Sequence, residues 1–136
     1  MGFEAAHAEL SVPRWIIEST EDESCWSFFL RGRNGKKIAY NTGFGSRDAV
    51  VEEIARSKIL MEKCLKGEQH EGDVIIWSTG RCQKDDFTSE ATLAWHFKFC
   101  EDDKTLCWGM GYNTKTSAER AAERAKILGA TAQIRD

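Results

Sequence analysis

The chain has 136 residues, carries a net charge of −3 at pH 7 and is 41% hydrophobic, with five Trp and seven Phe. This length suits one domain with a sizeable core, and the acidic balance argues against a uniformly basic nucleic-acid binder, because phosphate contacts dominate such binding. The chain has no apolar run long enough to span a bilayer and no basic-then-apolar leader, and its five Cys are an odd number. We therefore expect a cytoplasmic protein with free thiols and no membrane association.

Residues 1–13 are predicted to be an N-terminal extension, in which residues 3–10 have a weak helical pattern that Pro13 ends. Residues 14–20 are rich in β-branched side chains, which predicts a strand. The acidic run at residues 21–24 then predicts a solvated turn rather than a metal site.

A first hairpin is predicted from the apolar residues on either side of an Arg-Asn-Gly sequence at residues 33–35. A three-residue loop with its glycine in the left-handed conformation pairs Leu30 with Ile38 and Phe28 with Tyr40. In that register every large apolar residue falls on one face of the hairpin.

A helix is predicted to follow, with Ser46 as its N-cap and Asp48 in the first turn, where a carboxylate opposes the positive end of the helix dipole. Its apolar positions carry bulky side chains: Val50, Val51, Ile54 and Met61. Residues 63–73 form a polar connector, which we interpret as the boundary between two units, residues 14–68 and 69–136.

The second unit opens with a predicted strand at residues 73–79, followed by an insertion at residues 80–94 whose length is typical of functional or mobile loops. A two-residue loop at Asp102-Asp103 is then required if the next hairpin is to keep its apolar residues on one face. That loop gives three pairs: Phe99 with Leu106, Phe97 with Trp108, and Trp95 with Met110.

The second helix is predicted from a stripe of mostly small residues at helical spacing: Ala118, Ala121, Ala122, Ala125 and Leu128. Residues 116–119 have a capping-box pattern, and Thr114 is an alternative cap. Gly129 fits a helix C-cap, and residues 130–136 predict one last strand.

The two units have similar sequences, which indicates a duplication. Residues 44–60 align with residues 112–128 without a gap, and the pattern Trp26-x-Phe28-x-Leu30 corresponds to Trp95-x-Phe97-x-Phe99. Four further pairs are identical: Arg56/Arg124, Lys58/Lys126, Ile59/Ile127 and Leu60/Leu128. We expect the two helices to pack near each other across a pseudo-twofold axis.

The repeated pattern resembles the repeat unit of the YegP-like family, whose members often occur as tandem copies of a domain of unknown function. The residues that carry this likeness are Trp26-x-Phe28-x-Leu30, Asn34-Gly35, Phe44-x-Ser46-Arg47, Trp95-x-Phe97-x-Phe99 and Gln133-Ile134-x-Asp136. The second unit lacks the Asn-Gly turn, and neither helix has the mid-helix glycine common in that family. The resemblance implies an α+β fold in which two β-β-β-α-β units share one antiparallel sheet, exchange their last strands and lay both helices on one face.

A second resemblance joins Trp95-x-Phe97, residues 109–115 and the Ala-rich helix, which together are similar to the end of a double-stranded-RNA-binding domain. Such domains contact phosphates with basic residues at that helix start. Here only Lys115 is basic where those domains carry a cluster, and residues 101–103 nearby are acidic.

Candidate binding residues lie in three groups. One hairpin tip is basic, with Arg31, Arg33, Lys36 and Lys37, whereas the other tip, residues 101–104, is mainly acidic. Arg47 and Lys115 stand at the two helix starts, where backbone amides and a cation favour a phosphate. The sheet face away from the helices is expected to present Phe29, Arg31, Lys37 and Asn41 from one unit and His96, Lys98, Cys100 and Cys107 from the other.

Each group also has an ordinary structural explanation: charged tips are common at sheet edges, lysines are usually solvated, and single exposed aromatic residues are normal. Neither a paired Cys-x-x-Cys nor a glycine-rich phosphate loop with its Lys-Ser pair is present, so no metal or cofactor is predicted. A thiol enzyme that uses Cys100 or Cys107 beside His96 is the weakest alternative.

We therefore predict a small non-enzymatic interaction module that binds a protein partner or itself through the open sheet face and the charged tips. The alternative is a nucleic-acid-binding protein that uses the basic hairpin tip and the helix starts.

Overall fold

Two groups of three strands, each followed by a helix, and one short final strand make up the fold. In this computed structural model the described residues are 12–81 and 92–135, so the predicted helix at residues 3–10 and most of the insertion at residues 80–94 lie outside them. The elements are β1 (Arg14–Ser19), β2 (Trp26–Arg31), β3 (Lys37–Phe44), α1 (Arg47–Leu65), β4 (Val74–Arg81), β5 (Thr92–Glu101), β6 (Lys104–Tyr112), α2 (Lys115–Gly129) and β7 (Gln133–Arg135).

The seven strands form one sheet in the order β4-β5-β6-β3-β2-β1-β7. β7 runs parallel to β1, and the other neighbours are antiparallel, so the sheet is mixed and the prediction of an antiparallel sheet is wrong at this edge. The last strand of the chain therefore lies beside the first. Residues 66–73, between α1 and β4, contain no strand.

Both hairpins contain a β-bulge that shifts the predicted register by one residue. Arg31 pairs with Lys37 but Leu30 pairs with Ala39, which leaves Ile38 as the extra residue. In the second hairpin Cys100 pairs with Thr105 but Phe99 pairs with Cys107, and Leu106 is the extra residue. The predicted pairs were wrong beyond these points, because a bulge places two residues opposite one.

The predicted turns and caps are largely confirmed. Gly35 has φ of 79°, and the Gly32 amide donates to the Lys36 carbonyl, which closes the three-residue loop. Glu101 pairs with Lys104 around the two-residue loop Asp102-Asp103.

The hydroxyls of Ser46 and Thr114 cap the two helices, accepting from the amides of Ala49 and Ser117 at 3.1 and 3.0 Å. The helix start predicted at residues 116–119 is therefore displaced to Thr114, the alternative cap.

One apolar core lies between the sheet and both helices. Its largest buried side chains from the sheet are Trp15, Phe28, Leu30, Phe97 and Phe99, and α1 and α2 contribute to the same cluster. The small-residue stripe of α2 is buried as predicted, apart from Leu128, which is half-buried. The two helices therefore lie on one face of the sheet and contact each other.

Gly129 is the last residue of α2 and not the predicted C-cap, which is Ala130 in a right-handed conformation. A Cβ atom at Gly129 would lie 3.1 Å from the Trp15 ring, and the Gly129 carbonyl accepts a buried hydrogen bond of 3.0 Å from Trp15 Nε1. The glycine therefore serves close packing of the helix against both α1, through Met61, and β1.

The two halves of the sheet meet at the junction between β3 and β6. Tyr40 and Trp108 are the one ladder pair of this junction among the described residues. Asn41 Nδ2 adds a buried hydrogen bond of 2.9 Å to the Leu106 carbonyl. The duplication, its pseudo-twofold axis and the division into residues 14–68 and 69–136 remain predictions.

Candidate binding surface on the open sheet face

The sheet face away from the helices, here called the open face, carries a row of mainly apolar side chains that crosses most of the sheet. Strand side chains alternate between faces, so the neighbours of the buried residues Trp15, Phe28, Leu30, Phe97 and Phe99 point away from the core. Successive cross-strand partners on this face are Ile75, Lys98, Trp108, Tyr40, Phe29 and Ile16. All six are half-buried. We call the three neighbouring aromatic residues Trp108, Tyr40 and Phe29 the aromatic row, which Ile16 extends on the next strand.

The rings of the aromatic row are not stacked on each other. Tyr40 and Trp108 meet edge to face, with their ring centroids 5.6 Å apart. The Lys37 ammonium lies 4.6 Å from the Phe29 ring centroid, in cation–π geometry. Beside Phe29 and Tyr40 is a shallow pocket of about 290 Å³, which Lys37, Glu18 and Thr42 also line.

A second row of the open face is cationic and lies beside the aromatic row, two residues away along β1 and β2 and three along β3, where the bulge adds a residue. Arg14 pairs with Arg31, and Arg31 pairs with Lys37, across three neighbouring strands. We call these three residues the cationic row. On the opposite side of the aromatic row, Glu18, Ser27 and Thr42 are successive partners. The open face is therefore cationic on one side of its rings and mainly hydroxylic on the other.

His96 was predicted to be an exposed binding residue, but its side chain is only 3% exposed. Its Nδ1 accepts from the Gly111 amide at 3.1 Å, so the Nε2 atom carries the proton of the neutral ring and donates to Thr79 Oγ1 at 2.7 Å. Gly111, with φ of 90°, lies at a bulge between β5 and β6. His96 therefore satisfies a bulge amide, and its two ring nitrogens are engaged within the fold.

Lys98 remains on the open face, with its ammonium 5.3 Å from the ring centroid of Trp77. Trp77 in turn packs on the His96 ring at 5.0 Å between centroids. Trp77 was not among the predicted site residues. Its place opposite His96 follows from the pairing of β4 with β5, which the sequence did not specify.

Two residues assigned to the open face lie instead on the core side. The bulges turn Asn41 and Cys107 inward, where both are buried. Burial raises the pKa of the Cys107 thiol to about 12, so this thiol is a poor nucleophile near neutral pH. Cys100 and Cys107 therefore point to different faces, and the arrangement gives the thiol-enzyme alternative no support.

The remaining predicted residues are dispersed. Arg33 and Lys36 are exposed in the β2–β3 loop, beside the cationic row but not within it. Arg47 and Lys115 are the exposed first residues of α1 and α2, where the caps Ser46 and Thr114 each satisfy one amide. Phosphate binding at the helix starts stays a prediction.

Within residues 12–81 and 92–135, His, Cys, Asp and Glu side chains form no group of three that could hold a metal ion. No helix of the described chain is long and apolar enough to cross a membrane.

The chain shares its fold with two solved proteins. YegP from E. coli, a protein of unknown function, is 13% identical, with a TM-score of 0.63 over 92% of each chain. A UPF0339 protein from Shewanella oneidensis is 10% identical, with a TM-score of 0.61 over 90% of this chain and 89% of the other. No family model and no curated protein matches the sequence. The resemblance to YegP-like proteins is therefore confirmed at the level of the fold.

Proposed function

We propose that the chain is a small non-enzymatic binding module that takes its ligand on the open face of the sheet. The observation that carries this proposal is the aromatic row, which occupies adjacent strands in direct register. None of the described helices or strands packs over it, because both helices contribute to the core on the opposite face. Rings aligned in this way are more informative than single exposed aromatic residues, which are normal on any surface.

The chemistry of the open face also favours binding over catalysis. Its histidine is engaged in structural hydrogen bonds, and of its two predicted thiols Cys107 lies in the core. Partially exposed rings with lysines beside them provide contact area and cation–π groups, which are properties of recognition surfaces.

A capture experiment tests the location of the site. Native lysate is passed over the immobilised wild-type protein, the Tyr40→Ser/Trp108→Ser variant and a control, Ile59→Ser/Ile127→Ser. The control removes two apolar side chains, which are 55% and 58% exposed, from the helices instead of the sheet. Retained protein and nucleic acid are both measured, and circular dichroism confirms that each variant folds.

We expect the wild type and the helix control to retain the same material and the open-face variant to lose it. Equal retention by all three proteins, or no specific retention by the wild type, would contradict the proposal.

A further inference from the structure

The cationic row is an unusual arrangement within a sheet. Arg14, Arg31 and Lys37 are directly opposite one another on three adjacent strands, where like charges destabilise a sheet. Arg14 donates a hydrogen bond to the neighbouring Pro13 carbonyl, and Lys37 lies over Phe29. In the described part of the chain none of the three cations forms an ion pair. The row therefore concentrates positive charge that the described residues do not neutralise.

Arg31 is the residue of this row that most clearly lacks a partner. Its Nε and Nη2 atoms are enclosed, and neither has a hydrogen-bond partner in the described structure. These two atoms form the side of the guanidinium group that donates two parallel hydrogen bonds to a phosphate or carboxylate. Buried charged donors left without acceptors are costly, so an anion that supplies two oxygen atoms would stabilise Arg31 once its half-buried side chain turns outward.

The aromatic row lies beside this cationic row on the same face. Residues two apart on a strand are separated by about 7 Å, so an anion held by the cationic row would be close to Phe29 and Tyr40. A ligand that matches both rows has regularly placed anions on one side and planar, stackable groups on the other. Single-stranded nucleic acid has this pattern, and proteins bind it by combining a positive groove with aromatic side chains.

The charge distribution favours this ligand over a second copy of the chain. Although the whole chain has a net charge of −3, the described strand residues of the open face include the cations Arg14, Arg31, Lys37, Lys98 and Arg135, against one carboxylate, Glu18. Two open faces packed together would leave this charge excess without neutralisation. A duplex is also disfavoured, because its paired bases are not available to stack on the aromatic row.

We propose that the open face binds single-stranded nucleic acid, with phosphates at Arg14, Arg31 and Lys37 and bases on Phe29, Tyr40 and Trp108. This proposal rests on the proposed function and names its ligand. It differs from the double-stranded-RNA-binding arrangement expected from the sequence, because it uses the sheet face and not the helix starts.

Fluorescence anisotropy with labelled U12 RNA, dT12 DNA and a 12-base-pair duplex, at 50 and 200 mM KCl, tests the proposal. Three phosphate contacts on a single strand predict a slope of about −2 for log K against log salt, which is about a 20-fold loss of affinity over this range. Both single strands are expected to bind more tightly than the duplex, and comparing U12 with dT12 shows whether the RNA or the DNA strand is preferred.

Charge and stacking are separated with variants. Arg31→Gln/Lys37→Gln is compared with Lys63→Gln/Arg120→Gln, which removes the same charge from exposed helix positions. The first variant should weaken binding at least tenfold at 50 mM and reduce the slope to about −0.7, whereas the control should change neither strongly. Tyr40→Leu should weaken binding by about 5- to 150-fold and leave the slope unchanged.

Because Arg31 is partly enclosed, Lys37→Gln alone and Arg31→Lys provide variants with less risk of misfolding. Arg31→Lys keeps the charge but removes the two-donor fork, so we expect weaker binding with nearly the same salt slope.

Absence of binding to either single strand at 50 mM, equal losses in the helix control, or tighter binding to the duplex would overturn the proposal. Concentration-dependent dimerisation that Tyr40→Leu abolishes would also overturn it, in favour of a second copy on the open face. If lysate capture still depends on the open face when single strands do not bind, the proposed function stands and only this ligand is rejected. If capture is independent of the open face, both proposals fail.

Discussion

Replacing Gly109 with alanine should destabilise the protein strongly, although alanine is normally the better residue in a strand. Gly109 lies on β6 opposite Phe97, with φ outside the left-handed region. A Cβ atom there would overlap the Phe97 ring at Cε2 and Cζ and would lie 2.7 Å from the Ile38 carbonyl oxygen. One of these obstacles is a ring with no exposed surface and the other is backbone, so neither moves away easily.

The magnitude follows from two opposing effects. Overpacking a well-packed core costs about 1–3 kcal/mol, and this rigid contact belongs at the upper end of that range. Alanine recovers about 0.5–1 kcal/mol because glycine loses more backbone entropy on folding. The net loss in the free energy of unfolding is about 2 kcal/mol, which lowers the Tm by about 8 °C for a chain of this size.

Urea unfolding followed by tryptophan fluorescence measures this change. Gly45→Ala is the matched control, because Gly45 has no positive φ and a Cβ atom there meets nothing within 4 Å. Its effect should lie within about 0.5 kcal/mol of zero. In the double variant Gly109→Ala/Phe97→Leu the smaller side chain relieves the overlap, so its loss should be less than the sum of the single losses. A Gly109→Ala protein as stable as the wild type would refute the packing argument.

Three further predictions follow from individual contacts. Ser46→Ala and Thr114→Ala should each lower the free energy of unfolding by about 1 kcal/mol, because each removes the acceptor of one helix-start amide. Thermal melts in which neither variant has a lower Tm than the wild type would contradict the observed caps. Hydrogen bonds from Ser24 and Thr20 lower the pKa of Asp22 from 3.8 to about 2. The stability that the Asp22 carboxylate contributes is therefore present above pH 4 and is lost as the pH falls towards 2. A carboxyl NMR titration with a midpoint near 3.8 would be inconsistent with this turn. In the folded protein at pH 7.5, a thiol-reactive disulfide reagent should leave the buried Cys107 unmodified and should react faster with the partly exposed Cys25. The fraction of thiols that reacts fast should therefore be unchanged in Cys107→Ser and lower in Cys25→Ser.

Local sequence signals were sufficient for most of the described elements, although the start of α2 moved to the alternative cap and its end was placed wrongly. Alternating apolar residues located both hairpins, Gly35 and Asp102-Asp103 specified their loops, and hydroxyl residues marked the helix starts. These features depend on backbone conformation and capping within a few residues, which short sequence patterns describe directly.

The bulges were missed because the same-face argument assigned one residue to one partner. At equivalent places in the two hairpins, Ile38-Ala39 and Leu106-Cys107 are consecutive residues that are both buried. Such a pair just after a hairpin loop was a usable signal, since a bulge allows two successive side chains to face the core. The error changed the predicted site, because it assigned Asn41 and Cys107 to the open face.

The position of β7 and the burial of His96 could not be inferred in the same way. A three-residue strand has little pattern of its own, and its parallel pairing with β1 depends on where α2 directs the chain. His96 is buried because the bulge at Gly111 presents an amide to it. Both features arise from contacts between distant segments, which no local window contains.

The narrow junction between β3 and β6 has a consequence for the stability of the sheet. The described backbone ladder joins the two halves only at Tyr40 and Trp108, and the same two rings belong to the aromatic row. A molecule that contacts both rings would tie the two halves together. Its binding free energy would then oppose local opening where the sheet has the fewest backbone bonds, so occupancy of the surface and cooperativity of the whole fold would rise together.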